Sequence, residues 1–133
     1  MSSFSKLFLI ITCFICLSSC HKDSDDDLTS DYLLGVWEYE NEDEVDGTTY
    51  IFQLVLGPND LAGEIVRLES STGEVTSSFN ELIWNKINDV IVVEDSTTSG
   101  SYVLNSGNKL ISKTNENLVL IKISQDYSLY LGE

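Results

Sequence analysis

The chain has 133 residues, with 22 acidic against seven basic ones, for a formal net charge of −15. That length is one domain's worth, and so negative a chain repels phosphate backbones, which excludes nucleic acid as a partner. Three cysteines and a single histidine leave little material for thiol or imidazole chemistry, and their positions remove most of that.

The first element in chain order is an export signal. Lys6 is the only charge before Cys20, and Leu7 to Leu17 reads LFLIITCFICL. A spanning helix needs about 20 apolar residues. This run is shorter and has the length of a signal-peptide core. Leu17-Ser18-Ser19-Cys20 follows, and it resembles the lipobox of bacterial lipoproteins: an aliphatic residue, two small residues and a cysteine. The resemblance implies a signal peptide over 1–19 and a mature chain beginning at Cys20. The Cys20 thiol would carry a diacylglyceryl group and its freed amine a further acyl chain. At about 0.8 kcal/mol per buried CH₂, two or three chains tie a protein to a membrane almost irreversibly. The alternative is an ordinary secretory signal with an unmodified cysteine behind it.

Residues 20–32 read as a tether. His21 follows the cysteine directly, where an aspartate would signal retention at the inner membrane. Ser24-Asp25-Asp26-Asp27 resembles the acidic surface-export tag of lipoproteins in the Bacteroidota. The alternative is a plain solvated spacer, extended by repulsion between like charges. The expected location is the outer membrane, exposed at the cell surface or else facing the periplasm. Cys13 and Cys16 leave with the signal, so no disulfide can form within the mature chain. Without Lys6, 22 acidic residues face six basic ones, a side-chain charge of −16.

From residue 33 onward short apolar runs alternate with turn residues. The runs are Leu34–Glu40, Thr49–Leu56, Leu61–Glu69, Val75–Phe79, Leu82–Trp84, Val90–Glu94, Ser101–Asn105, Lys109–Thr114, Leu118–Ile123 and Ser128–Leu131. Between them stand Asp46-Gly47, Gly57-Pro58-Asn59-Asp60, Asn88-Asp89 and Asn105-Ser106-Gly107-Asn108, among others, which favour tight turns. Alternation is clear in Thr49–Leu56, where Tyr50, Phe52, Leu54 and Leu56 share one face. Strands at such spacing predict an all-β sandwich or barrel. A single small antiparallel up-and-down barrel of about eight strands over 33–133 also removes the exposed sheet edges. One short helical turn is expected near Leu28–Leu33.

Leu34-Gly35-Val36-Trp37 resembles the Gly-x-Trp signature of lipocalins and related calycin barrels. Leu54–Gly63, Phe79-x-x-Leu82-x-Trp84 with Asn88-Asp89, and the Leu118-Val119-Leu120 and Leu129-Tyr130-Leu131 runs resemble later strands of small lipocalin-like lipoproteins of the Bacteroidota. The resemblance covers about Leu33–Leu131 and implies a lipocalin-like barrel. Larger lipocalins carry an arginine after the last strand, packed over the signature tryptophan. Here the only arginine, Arg67, lies in an early strand. A small barrel is implied, which its own side chains can fill.

Trp37 reads as a structural plug whose N–H needs a partner, and Gly35 as a place where another backbone or ring comes close. Tyr50, Phe52, Trp84, Tyr102 and Tyr130 are the residues that would line a pocket, if not simply the core. His21, one residue from Cys20, cannot belong to a folded site, which removes Ser-His-Asp and Cys-His catalysis and histidine or thiolate zinc sites. Glu42-x-Glu44-x-Asp46-Gly47 loosely imitates a calcium loop but lacks its closing glutamate, so a solvated hairpin is expected. No enzyme activity, metal or cofactor is expected. The functional expectation is a membrane-anchored binding module for a small apolar or amphipathic ligand. The alternatives are an acidic protein that binds a basic partner, such as a lysozyme or protease inhibitor, and a purely structural lipoprotein.

Overall fold

The computed structural model describes residues 31–43 and 45–132. The expected signal peptide, the lipidation site Cys20 and Glu44 lie outside the described residues. The rest is a closed barrel of eight antiparallel strands in sequence order: β1 (Gly35–Glu42), β2 (Thr49–Leu56), β3 (Leu61–Glu69), β4 (Val75–Ile87), β5 (Val90–Glu94), β6 (Ser99–Leu104), β7 (Lys109–Ser112) and β8 (Val119–Ser124). β8 pairs back onto β1, and a register shift between Val36 and Trp37 accommodates the closure.

The turns follow from local chemistry. Asn59 and Asp60 both adopt positive φ between β2 and β3, at 56° and 63°, and the Leu61 N–H donates to the Pro58 carbonyl at 3.2 Å. That is the turn geometry whose twist matches paired strands. Asn88 and Asn108, both at φ 56°, reverse the chain at the next two hairpins on the same end of the barrel.

Two of the sequence expectations are corrected. Val75–Phe79 and Leu82–Trp84 are one strand: β4 runs unbroken through Asn80 and Glu81, pairing with β3 over Val75–Ile83 and with β5 over Ile83–Ile87. A closed barrel needs staggered strands, and this long strand bridges the stagger, so its polar pair costs no ladder bonds. Ser128–Leu131 is not a closing strand but a helical turn, α1. The β1–β8 pairing leaves no edge for a ninth strand. Asp126 instead accepts hydrogen bonds from the backbone and hydroxyl of Ser128, at 3.0 and 2.6 Å. α1 lies against the outside of β3, where Gly57 and Gly63 leave room for Leu131: a Cβ on Gly63 would stand 3.3 Å from its Cδ2.

Asp31, Tyr32 and Leu33 are helical and sit against the barrel, so the folded body reaches back to Asp31 rather than starting at residue 33. Inside, the end near this turn is packed solid. Trp37, Leu54, Leu56, Leu110 and Leu120 are all fully buried there, with Leu33 across the opening.

Candidate functional site

Alternation along each strand sorts the interior into two halves. The closed end is floored by two tryptophans. Trp37 is 0% exposed, and its indole N–H donates to the Leu33 carbonyl at 2.9 Å. Trp84 donates to the Gly57 carbonyl at 2.8 Å, and its own backbone N–H donates to Asp60 at 2.8 Å. Gly35 has φ 132°, and a Cβ there would collide with the Ser124 carbonyl oxygen and stand 2.9 Å from Lys122 Cε. Both indoles are satisfied by backbone, and the packing around them leaves them no free face in the interior.

Above this floor the inward positions change character. Tyr39 on β1, Tyr50 and Phe52 on β2, Glu64 and Val66 on β3, Asn80 on β4 and Tyr102 on β6 share the inner face, because each alternates with outward neighbours and stands in register with other inward residues, Tyr50 with Leu68 and Tyr102 with Ile91 and Ser112. Phe52 stands opposite both Tyr39 and Val66, and Glu64 stands opposite Asn80. The Tyr39 and Tyr50 rings meet edge to face, with centroids 6.4 Å apart. Tyr39, Tyr50, Glu64 and Val66 point inward yet remain partly exposed, so this end is open to water. Gly100 faces the interior with no side chain, and the Tyr102 ring passes 3.3 Å from where its Cβ would be.

The open half is electrostatically negative. Asp95 follows β5 at the rim, where the Asn80 amide donates to its Oδ2 at 3.1 Å and the Thr98 backbone to its Oδ1 at 2.6 Å. Backbone N–H groups of Thr97 and Thr98, with help from Asn80, hold its carboxyl down to about 2. Glu64 behaves oppositely: burial first, then the charge of Asp95, pushes its carboxyl above the usual range. Burial first, then Glu64 and Tyr50, pushes the Tyr102 phenol up to about 12. Tyr50 moves the same way, from burial and then Glu64 and Tyr39. Alternation puts Glu64, Tyr50 and Tyr102 on one inner face, and the Asn80 amide, opposite Glu64, ties Asp95 to its rim. The cations lie elsewhere among the described residues. Lys86 and Lys122 share the inner face only at the closed end. Arg67 and Lys109 alternate outward, and Lys113 lines an outer surface groove with Val103 and Ile111.

Of the residues singled out from the sequence, the structure brings Tyr50, Phe52 and Tyr102 to the open half. It puts Trp84 at the closed end. Tyr130 is outside the barrel, on α1, where with Leu131 it borders a groove of about 510 Å³ floored by Leu61, Phe79 and Ile83. Gly35 and Trp37 belong to the floor. Sequence reading missed Glu64, Asn80 and Asp95. The signal was present in Glu64, a charged residue at an inward position of an otherwise apolar face. No family model matches the chain, and neither a curated protein nor a solved structure matches it.

Proposed function

We propose that the protein is a binding module, and that its site is the open half of the barrel, which takes one small amphipathic molecule. The observation that carries this reading is the pairing of a solid floor with inward aromatic and polar residues that stay wet. A barrel built only for stability would bury its inward residues at both ends, as small barrels can. Here a half-buried carboxylate and a tyrosine hydroxyl are placed beside apolar walls, the usual mixture of a ligand site. The lipobox and acidic segment of the sequence support a body held to the outer membrane by lipid on Cys20, with a small lipocalin-like barrel as the soluble end. The reading is one of binding, and none of the described residues of the open half is a histidine or a cysteine.

The test is a titration followed by NMR, with 2-phenylethanol as a neutral amphipathic probe. Saturable shifts are expected at Tyr39, Tyr50, Phe52 and Tyr102, with Trp37 and Trp84 unmoved. Val66→Trp, which fills the opening, is expected to abolish them. Shifts confined to the outer surface would overturn the reading. Lipidation is tested separately by intact mass: Cys20→Ala is expected to remove the acyl mass and release the protein from membranes.

A second reading rests on the outside of β1. Glu38, Glu40 and Glu42 alternate outward along one strand and lead into Asp43 and Asp46 of the following turn. This ridge supports docking of a basic protein, steered by charge. Association that falls steeply with salt and is lost on Glu40→Lys with Glu42→Lys would favour it.

A further inference from the structure

We propose that the open half of the barrel selects organic cations, with the Glu64 carboxylate as counter-ion and the rings of Tyr39, Tyr50 and Tyr102 as walls. This deepens the binding reading above and rests on it. Three independent observations carry it.

The first is Tyr102. It is 5% exposed and faces the interior, and no hydrogen bond from a described residue reaches its hydroxyl. Its hydroxyl is a polar group on the inner face that Glu64 shares, available to a molecule that enters. The second is the sign of the surroundings. Glu64 and Asp95 are the charges of this half, and Asp95 is already engaged by Asn80 and its own turn. Glu64 has no such partner among the described residues, and its carboxylate is kept half-buried and near Asp95 at neutral pH. A cation entering the barrel would relieve that repulsion. An anion would meet two carboxylates and, among the described residues of this half, no inward-facing lysine or arginine.

The third is the wall chemistry, which distinguishes an organic cation from a metal ion. Among the described residues no three histidine, cysteine, aspartate or glutamate side chains are grouped to hold a metal. Hard metal ions need six or more oxygens. Aromatic faces attract an ammonium group through their negative quadrupole, and more strongly once it is desolvated. A primary or methylated amine on an apolar body would therefore use every group on the page: the ammonium on Glu64, its N–H or N–CH groups on the rings, the Tyr102 hydroxyl as hydrogen-bond partner and the body against Phe52 and Val66.

The experiment compares three probes of one shape on the same protein: 2-phenylethylammonium, neutral 2-phenylethanol and anionic 3-phenylpropionate, each by calorimetry with NMR to locate it. The ammonium is expected to bind at least roughly tenfold more tightly than the alcohol, with the carboxylate weakest. Glu64→Gln is expected to bring ammonium and alcohol to similar affinity, the ammonium losing at least roughly tenfold. Equal binding of all three probes to the wild-type protein, or preference for the anion, overturns the selectivity and leaves open-end binding standing. Failure of all three removes the binding reading itself. Displacement of the ammonium by calcium chloride at equal concentration would make the site inorganic and also overturn the proposal. Because the three-probe comparison uses the wild-type protein, it decides the matter even if Glu64→Gln folds poorly.

Discussion

Lys122 lies over Trp37: its ammonium is 5.5 Å from the indole centre and 4.7 Å from the centre of the Tyr32 ring, and it donates to the Tyr32 carbonyl. Tyr32 in turn meets Trp37 edge to face, with centroids 6.3 Å apart. A cation from the last strand thus seals the tryptophan at the closed end, at a place where the sequence offers no arginine. Opposing effects act on Lys122. Burial lowers its pKa and disfavours its charge, whereas two ring faces and a carbonyl favour it.

Because these effects oppose one another, Lys122→Met, which keeps the length of the stem, should change unfolding free energy by less than about 1 kcal/mol. Trp37→Phe should lower it by about 2–4 kcal/mol, because it loses volume in a packed floor and orphans the Leu33 carbonyl. Urea denaturation of both variants checks the contrast. A large loss in the Lys122→Met variant would mean that the charge, rather than the stem, closes the floor.

Gly35→Ala should be the most damaging alanine substitution among the described glycines. Its φ of 132° is one that side-chain-bearing residues rarely adopt, and the new Cβ would meet the Ser124 carbonyl at the β1–β8 seam. A loss of about 3 kcal/mol or more is expected. Gly73→Ala is the control. It also has positive φ, at 87°, but has open space around it, and the expected loss is about 1 kcal/mol. Thermal melts of the pair separate strain from collision.

Glu64 predicts a pH-dependent stability with a definite sign. Its pKa is raised from 4.5 on folding, so the folded state holds its proton more tightly. Its contribution therefore favours folding fully below pH 4.5 and is lost as pH rises through the folded value. At pH 7 the charged carboxylate opposes folding. Glu64→Gln should raise the urea midpoint at pH 7, and the gain should close as pH falls toward 4. A lower midpoint at pH 7 would show that the carboxylate already has a stabilising partner. A group that weakens the fold it sits in is common at functional sites.

Tyr102 predicts the alkaline limb. Its phenol is pushed up to about 12 from 10, so its contribution to stability is present below pH 10 and lost as pH rises through 12. Ultraviolet titration should show one tyrosine ionising last, absent in Tyr102→Phe. The variant should also lose stability less steeply between pH 10 and 12.

Much of the barrel is legible in the sequence because local rules and tertiary demand agree. Tyr50, Phe52, Leu54 and Leu56 alternate cleanly, and Asn59-Asp60 and Asn88-Asp89 supply turns that need few alternatives. The errors fall where tertiary context overrode local signal. Asn80-Glu81 reads as a break, yet the pair sits inside β4 because β3 supplies ladder partners in Glu64 and Gly63. Leu129-Tyr130-Leu131 reads as a strand, yet a closed barrel has no edge to receive it.

The sequence by itself determined the alternation, the turns, the charge and the scarcity of imidazole and thiol, since each depends on residue type and near neighbours along the chain. It also determined that Trp37 needed a partner for its N–H. Only the tertiary structure decided which face of each strand turned inward and which end of the barrel was sealed. It alone brought Glu64, Asp95 and Tyr102 from three separate elements into one wet half. The physical reason is closure: pairing β8 with β1 fixes the stagger of every strand at once, and no local stretch of sequence contains that constraint.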